Sequence, residues 1–317
     1  MPFTFSHPAA VLPLMRGLRG RGPLVASALV AGSMAPDLPF FAESWHPGLF
    51  RRGALTHRWW AVPTVDVVLA GVLVAGWQGL LRRPLLGLLP PRWAAPALAA
   101  TERRAAGGGP GERAAWFALS AALGAAGHVG WDAFTHSGRA GVRLLPALER
   151  RVAGVPLCTV AQYGSSALAL AGLGGYLARE LRAAATAPLT GDPASTGQRH
   201  PATARQPDAA QRPTEAQRPT DAQRPAEAWA VGPRTAAART AAARTARRRA
   251  VVAAGTVVGA AHRVVRAGRV RGPGGRPDLI ADLCFGAIAG AVTAAAALGA
   301  LDLGALDPLG RPGADPR

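Results

Sequence analysis

The sequence predicts an all-α protein, a multi-pass transmembrane helical bundle interrupted by a disordered basic linker. Three observations predict it. The 317 residues are 49% hydrophobic but only 17% charged, whereas a soluble domain carries about a quarter charged residues. All 36 basic residues are arginine and the net charge is +18, yet 18 of the 36 fall between Arg179 and Arg276. Several stretches reach the length of about 20 apolar residues that a bilayer requires. Collagen-like and disulfide-rich classes are excluded, since glycine has no triplet period and Cys158 and Cys284 both sit inside apolar runs.

The N-terminal stretch 7–15 and the stretch 24–37 read as two short helices joined by a turn at Arg16–Arg21. That hairpin brings His7 and Asp37 to the same end. No basic region precedes the first apolar residues and Arg16 comes too late, so a signal peptide is not expected. The predicted spans are 61–81, 114–134, 157–178 and 279–301. Trp59 and Trp60 precede the first, and Trp116 and Trp131 lie near the ends of the second, as in an aromatic belt. Small residues dominate these segments, which permits close helix approach. The stretch 85–100 is broken by Pro90 and Pro91, and 250–261 is only a dozen residues long.

Between the third and fourth spans lies low-complexity sequence. A hexapeptide repeat, AQRPTE, AQRPTD, AQRPAE, runs from Ala210, and a pentapeptide repeat, RTAAA, from Arg234. The first is polar and Pro-rich and cannot bury a core. The second has helix-forming residues, but a period of five rotates its arginines around the axis. The organisation is therefore a helical membrane domain at 1–181, a disordered linker at 182–249, C-terminal membrane helices at 250–301 and a flexible tail at 302–317. No recognition motif and few aromatics accompany the basic stretch, so the expected partner is a lipid bilayer and not nucleic acid. Loop charges favour the cell membrane with a cytoplasmic linker.

Ionisable groups in so apolar a chain invite a functional explanation. Five of the seven histidines lie within the first 136 residues. In HVGWDAFTH, His128, Asp132 and His136 stand at i, i+4 and i+8; on a helix such residues drift only about 40° per step and share one face. Imidazole and carboxylate are good ligands for zinc, manganese or iron. The same spacing equally allows Asp132 to pair with a neighbouring histidine and bind nothing. His57 lies just before the first span and Asp66 one turn inside it, where Pro63 suits the first turn of a helix. An unpaired Asp66 in lipid is costly, so it is expected to face the bundle and find a partner. Asp37 sits between Pro36 and Pro39, at a helix end. In this topology Asp37, His57, Asp66, Asp132 and His136 fall at one membrane face, and the hairpin adds His7. Asp282 enters the last span with no histidine beside it. No GxSxG, P-loop, CxxC pair or Rossmann fingerprint is present.

The blocks MPFTFSHPAAVLPLMR, ALVAGSMAPDLPFF, HRWWAVPTVD, HVGWDAFTH and AQYGSSALAL, in that order over 1–181, resemble a bacterial multi-pass membrane family, the domain of unknown function 4184. The resemblance implies a membrane location and matches His7, Asp37, His57, Asp66, His128, Asp132, His136 and Gln162 to motif positions. Arg58 stands where that family usually has serine. A more distant resemblance is to inner-membrane metal-dependent hydrolases and zinc-dependent phospholipases C. They likewise use an early histidine, a Pro-Asp turn and a helical His-x-x-x-Asp pair. A second histidine of their longer motif has no counterpart here, which favours one metal ion over two.

The expected function is a membrane hydrolase acting on a lipid-like or phosphoester substrate. A divalent metal, zinc above others, would bind among His7, Asp37, His57, His128, Asp132 and His136, with Asp37 or Asp66 as general base. The alternative is a non-enzymatic membrane scaffold whose histidines and aspartates pair to orient helices.

Overall fold

The computed structural model of the chain describes residues 4–102, 108–186, 231–271 and 279–304. Two units are distinguished, Met1–Ala185 with Thr245–Arg317, and Thr186–Arg244. The first unit holds every contact described below. It opens with a 3-10 helix, Thr4–Leu14, in which Pro8 and Pro13 withhold the N–H groups that an α ladder would use. A two-residue hairpin follows, β1 (Met15–Arg16) paired with β2 (Arg19–Gly20), and its turn places Gly17 at φ 56°, a left-handed conformation that glycine adopts freely. Then come α1 (Ala26–Met34), a 3-10 turn at Ala35–Asp37 and α2 (Leu38–Ala42). The predicted N-terminal hairpin is therefore present, with tighter helices than its sequence suggests because prolines punctuate both arms.

α3 (Gly53–Thr56) precedes α4 (Val65–Gly76), which continues through a π-helical turn, Trp77–Leu81, into α5 (Arg82–Leu86). Pro91 opens α6 (Pro91–Ala100) and Pro110 opens α7 (Pro110–Thr135), each in the first turn, where its missing N–H costs nothing. After α8 (Ala140–Leu144) and a small hairpin of β3 (Arg151–Val152) and β4 (Val155–Pro156), the chain runs through α9 (Leu157–Thr186), α10 (Val231–Arg271) and α11 (Leu279–Gly304).

Among the described residues three helical segments are long and apolar enough to cross a membrane: Val65–Leu86, Ala241–Gly268 and Ala281–Asp302. The outer two correspond to the spans expected at 61–81 and 279–301. The middle one falls at the start of the C-terminal membrane helices expected at 250–301, but begins earlier, inside the stretch expected to be a disordered linker at 182–249. Residues 231–249 are helical, because the RTAAA repeat is built from two strong helix formers. Residues 182–186 continue α9, and 187–230 lie outside the described residues, as does the tail from 305. The stretches 114–134 and 157–178 are helical within α7 and α9. Glycine, serine, histidine and glutamine dilute their apolar character, and neither is among the three.

The N-terminal bundle is organised by the crossing of α1 on α7. A Cβ added at Gly32 would lie 2.1 Å from the Ala121 carbonyl oxygen, and one at Gly124 would lie 2.2 Å from that of Leu29. Both are far inside van der Waals contact, so the two backbones touch only because both positions are glycine. Ser120 of α7 strengthens the junction by accepting the Val25 N–H at 2.9 Å, supplying a cap that the start of α1 lacks in its own sequence. α4 packs on this pair, and Ala28, Ala31, Ala35, Ala70 and Ala121 form a shared small-residue core.

The C-terminal helices repeat the device. Gly255 and Gly259 of α10 meet Gly290 and Gly286 of α11, where added Cβ atoms would lie 1.9–2.7 Å from backbone atoms of the facing helix. These are two interlocked GxxxG pairs in antiparallel register. Arg263 of α10 is buried here, with Nε 3.3 Å from Asp282 Oδ1 and a terminal nitrogen donating to the Phe40 carbonyl and to Ser44 Oγ, both at 3.0 Å. Asp282, unaccompanied by histidine, thus pairs with an arginine from the neighbouring helix. Gly124→Val and Gly259→Val, each overpacking a backbone contact, are expected to cost about 1–3 kcal/mol or more; thermal melts in detergent against Gly172→Val, whose Cβ would meet nothing within 4 Å, measure this.

Candidate metal centre

Four of the predicted site residues converge from three parts of the chain. Asp37 ends the 3-10 turn between α1 and α2, His57 caps the C-terminus of α3, and His128 and Asp132 stand one turn apart on α7. All four are buried. His57 Nε2 lies 3.2 Å from Asp132 Oδ2 and 3.5 Å from Asp37 Oδ1, while His128 Nε2 lies 3.5 Å from Asp37 Oδ1 and 3.6 Å from Asp132 Oδ2. The two Nε2 atoms are 3.3 Å apart.

The other ring nitrogens fix the tautomers. His57 Nδ1 donates to the Gly53 carbonyl at 2.7 Å and His128 Nδ1 to the Ser33 carbonyl at 2.8 Å. A carbonyl only accepts, so both Nδ1 atoms carry hydrogen, and in the neutral rings both Nε2 atoms turn lone pairs inward. In that neutral form two lone pairs and two carboxylates face one another with no donor among them, whereas a proton on either Nε2 would pair it with the carboxylates. Asp37 Oδ1 and Asp132 Oδ2 indeed lack any hydrogen-bond partner, although buried polar atoms are as a rule satisfied. Zinc binds nitrogen and oxygen at about 2.0–2.2 Å, and a tetrahedron of that radius has edges of about 3.3–3.6 Å. Five separations of 3.2–3.6 Å, none of them between the two carboxylates, fall in that range, and His57, His128 and Asp132 form a trio whose ligating atoms all lie within 4.8 Å of one another. The donor set, the tautomers and the orphaned oxygens all fit a divalent cation.

His7 and His136 flank this tetrad. The His7 ring stacks on His128 with centroids 3.7 Å apart, and its Nε2 is 3.8 Å from Asp132 Oδ1. With Asp37 and His128 it forms a further trio whose ligating atoms lie within 4.8 Å of one another. His136 caps α7 with Nδ1 3.5 Å from Asp132 Oδ1, and its Nε2 is 3.0 Å from Gln162 Nε2 on α9. It belongs to neither ligand trio; its contacts orient Asp132 from outside. Asp66 is brought near but stays apart. Its carboxylate is fully buried at the start of α4, yet neither oxygen has a hydrogen-bond partner. It faces the bundle as its cost in lipid requires, without the partner the sequence reading expected.

Burial and charge set the protonation of the groups outside the spans. Burial, reinforced by His128, pushes His7 down to about 3 against the pull of Asp132 and Asp37. Burial would raise Asp37, but His128 and His57 outweigh it and hold the carboxyl well below its ordinary range. For His57 burial is the largest single influence and lowers it; the Asp132 and Asp37 carboxylates beside its ring together overcome this and raise it. His136 is lowered, chiefly by burial.

Other contributors carry weaker sequence signals. Thr4 donates to Asp37 Oδ2 at 2.5 Å; its spacing of three from His7, one turn of a 3-10 helix, is the local clue to it. Thr56 donates to the Pro36 carbonyl at 2.6 Å and so ties α3 to the Asp37 turn. A cavity of about 10 Å³ beside Asp132, lined by His7, Thr135, His136, Gln162 and Ser166 among others, has room for about one water molecule.

Among known families, the model described as Domain of unknown function (DUF4184) matches residues 1–294. No curated protein and no solved structure matches the chain.

Asp66→Asn removes a buried charge that has no ion-pair partner, and is expected to leave stability unchanged or to raise it. Asp132→Asn, which weakens contacts to four histidines, is expected to cost about 3–5 kcal/mol. Paired thermal melts of the two variants in detergent would contradict this if Asp66→Asn proved the more damaging.

Proposed function

We infer that this chain, which belongs to the DUF4184 family, is a cell-membrane protein that holds one divalent metal ion, zinc above others, and uses it hydrolytically on a lipid-like or phosphoester substrate. The observation that carries the reading is the cluster of Asp37, His57, His128 and Asp132, whose imidazole Nδ1 atoms are committed to main-chain carbonyls and whose inward carboxylate oxygens are unpartnered. A single ion is favoured over two because both possible trios share His128. With its Nδ1 committed to the Ser33 carbonyl, His128 has one lone pair to give.

Bound there, the metal would supply Lewis acidity and would acidify a coordinated water toward neutral pH. The protein's residues supply the rest. The Gly53 and Ser33 carbonyls hold the two imidazoles in the ligating tautomer, as outer partners do in metal sites generally. Thr4 and His136 steady the two carboxylates. The water-sized cavity beside Asp132 would give a water molecule an approach to the site. Asp37 or Asp66 would serve as general base, Asp37 with its oxygens against the imidazoles and Thr4 and Asp66 with both oxygens free of hydrogen bonds.

The scaffold reading draws on the same contacts, since protonated histidines could balance the carboxylates without metal. Chelation separates the two. Under the metal reading, removing the ion lowers the melting temperature and zinc restores it; under the scaffold reading neither step matters. Elemental analysis of detergent-purified protein is expected to give about one zinc per chain in the wild type and essentially none in His128→Ala. His136→Ala is expected to keep the metal but weaken its affinity by about 10–100-fold, the usual effect of losing an outer partner. Wild-type protein without stoichiometric metal, at a level that His128→Ala does not change, would defeat the metal reading.

A further inference from the structure

A groove of about 260 Å³, open to the surface where Ala10 and Trp131 are exposed, lies between the N-terminal 3-10 helix, α7 and α9, lined by Ser6, His7, Ala9, Ala10, Trp131, Ser165, Ser166 and Ala169. An apolar cavity of about 150 Å³ already accepts a benzene molecule, so the groove has room for a short hydrocarbon chain. Its walls are unlike those of the water-sized cavity. Beyond the serines and His7 they are alanine methyls and the Trp131 ring, and the hydroxyls face one another: Ser6 Oγ reaches Ser166 Oγ at 3.3 Å, and Ser165 Oγ accepts the Trp131 Nε1–H at 3.1 Å. The two cavities share His7, Trp131 and Ser166. One route therefore leads from Asp132 and His136, past the His7 edge, into an apolar chamber.

We propose that this chamber binds the hydrocarbon chain of a single-chain acyl compound, whose oxygen-bearing head turns past His7 toward Asp132 and the metal. The proposal rests on the metal reading of the tetrad and adds its substrate class. The polar end admits little more than an oxygen atom, and the lining there offers histidine, threonine, glutamine and serine but no arginine. The cavity at this end holds about one water molecule, which suits the single oxygen of an acyl ester or acid carbonyl better than a bulky, multiply charged head. The apolar end is walled by alanines where larger side chains would fill it, and the serine hydroxyls there are engaged with Ser6, Ser166 and Trp131 and not directed at a polar ligand.

The test compares decanohydroxamate, a zinc-seeking head on a long chain, with acetohydroxamate, the same head without one. Both are titrated into the full-length, zinc-loaded protein in one detergent. In the wild type the long-chain probe is expected to bind at least about 100-fold more tightly, since each buried methylene contributes several-fold. In Ala169→Trp that advantage is expected to fall to about tenfold or less, with acetohydroxamate affinity and zinc content unchanged. Ala10→Phe fills the chamber from the opposite wall and is expected to act alike. A decanohydroxamate carrying a terminal diazirine is expected to label 165–169 in the wild type, a readout that depends on no variant. Retained zinc with an undiminished chain advantage in both variants, or labelling confined to other segments, would overturn the acyl chamber and leave the metal centre standing. A wild type that holds no zinc would overturn both.

Discussion

Two carboxylates, Asp37 and Asp132, are buried against two imidazoles that turn lone pairs toward them, and much of the N-terminal structure serves to hold that arrangement together. Desolvated charge is costly unless it is paired and hydrogen-bonded. The four groups come from segments that have no local reason to meet. Their approach to within 3.2–3.6 Å therefore constrains α3, α7 and the turn after α1 at once. Each imidazole is fixed by a main-chain carbonyl, from Ser33 at the end of α1 and Gly53 at the start of α3. The backbone itself sets the direction in which the ligating nitrogens point.

That precision depends on how closely the helices approach. α1 and α7 cross at Gly32 and Gly124, where a single methyl group would collide with the opposing main chain. A wider crossing would carry the Ser33 carbonyl away from His128 Nδ1, and the ring would be free to turn. Small residues thus have a chemical consequence as well as a packing one. The interlocked glycines of α10 and α11 do similar work in the C-terminal pair, and Arg263 joins that pair to α2 through Phe40, Ser44 and Asp282. α2 follows Asp37 directly, so the C-terminal helices brace the element that delivers one of the carboxylates.

His7 stands at the junction of the two cavities and of the tetrad. Its ring covers His128, and its edge faces both the water-sized space beside Asp132 and the larger apolar chamber. It thus lies between the buried His/Asp cluster and the spaces on the side of α9. The 3-10 helix that carries it is short of hydrogen-bond donors because of Pro8 and Pro13, and its course is fixed by contacts such as Thr4 on Asp37 instead.

The sequence by itself determined what depends on local pattern. Long runs of small apolar residues specified helices of membrane-crossing length, and the four-residue spacing of His128, Asp132 and His136 put them on one helical face, because an α-helix turns once in 3.6 residues. The hairpin uniting His7 with Asp37 was readable from its prolines and the turn at Arg16–Arg21. What only the tertiary structure decided depends on pairs far apart in the chain. Periodicity offered no way to know that His57 and Asp37 would close on His128 while His136 turned to Gln162, or that Asp66 would be buried without a partner. Nor could it pair Arg263 with Asp282, which lie on different helices. Spacing fixes which face a residue occupies; only the packing of one helix against another, set here by glycines at the crossings, decides what that face meets.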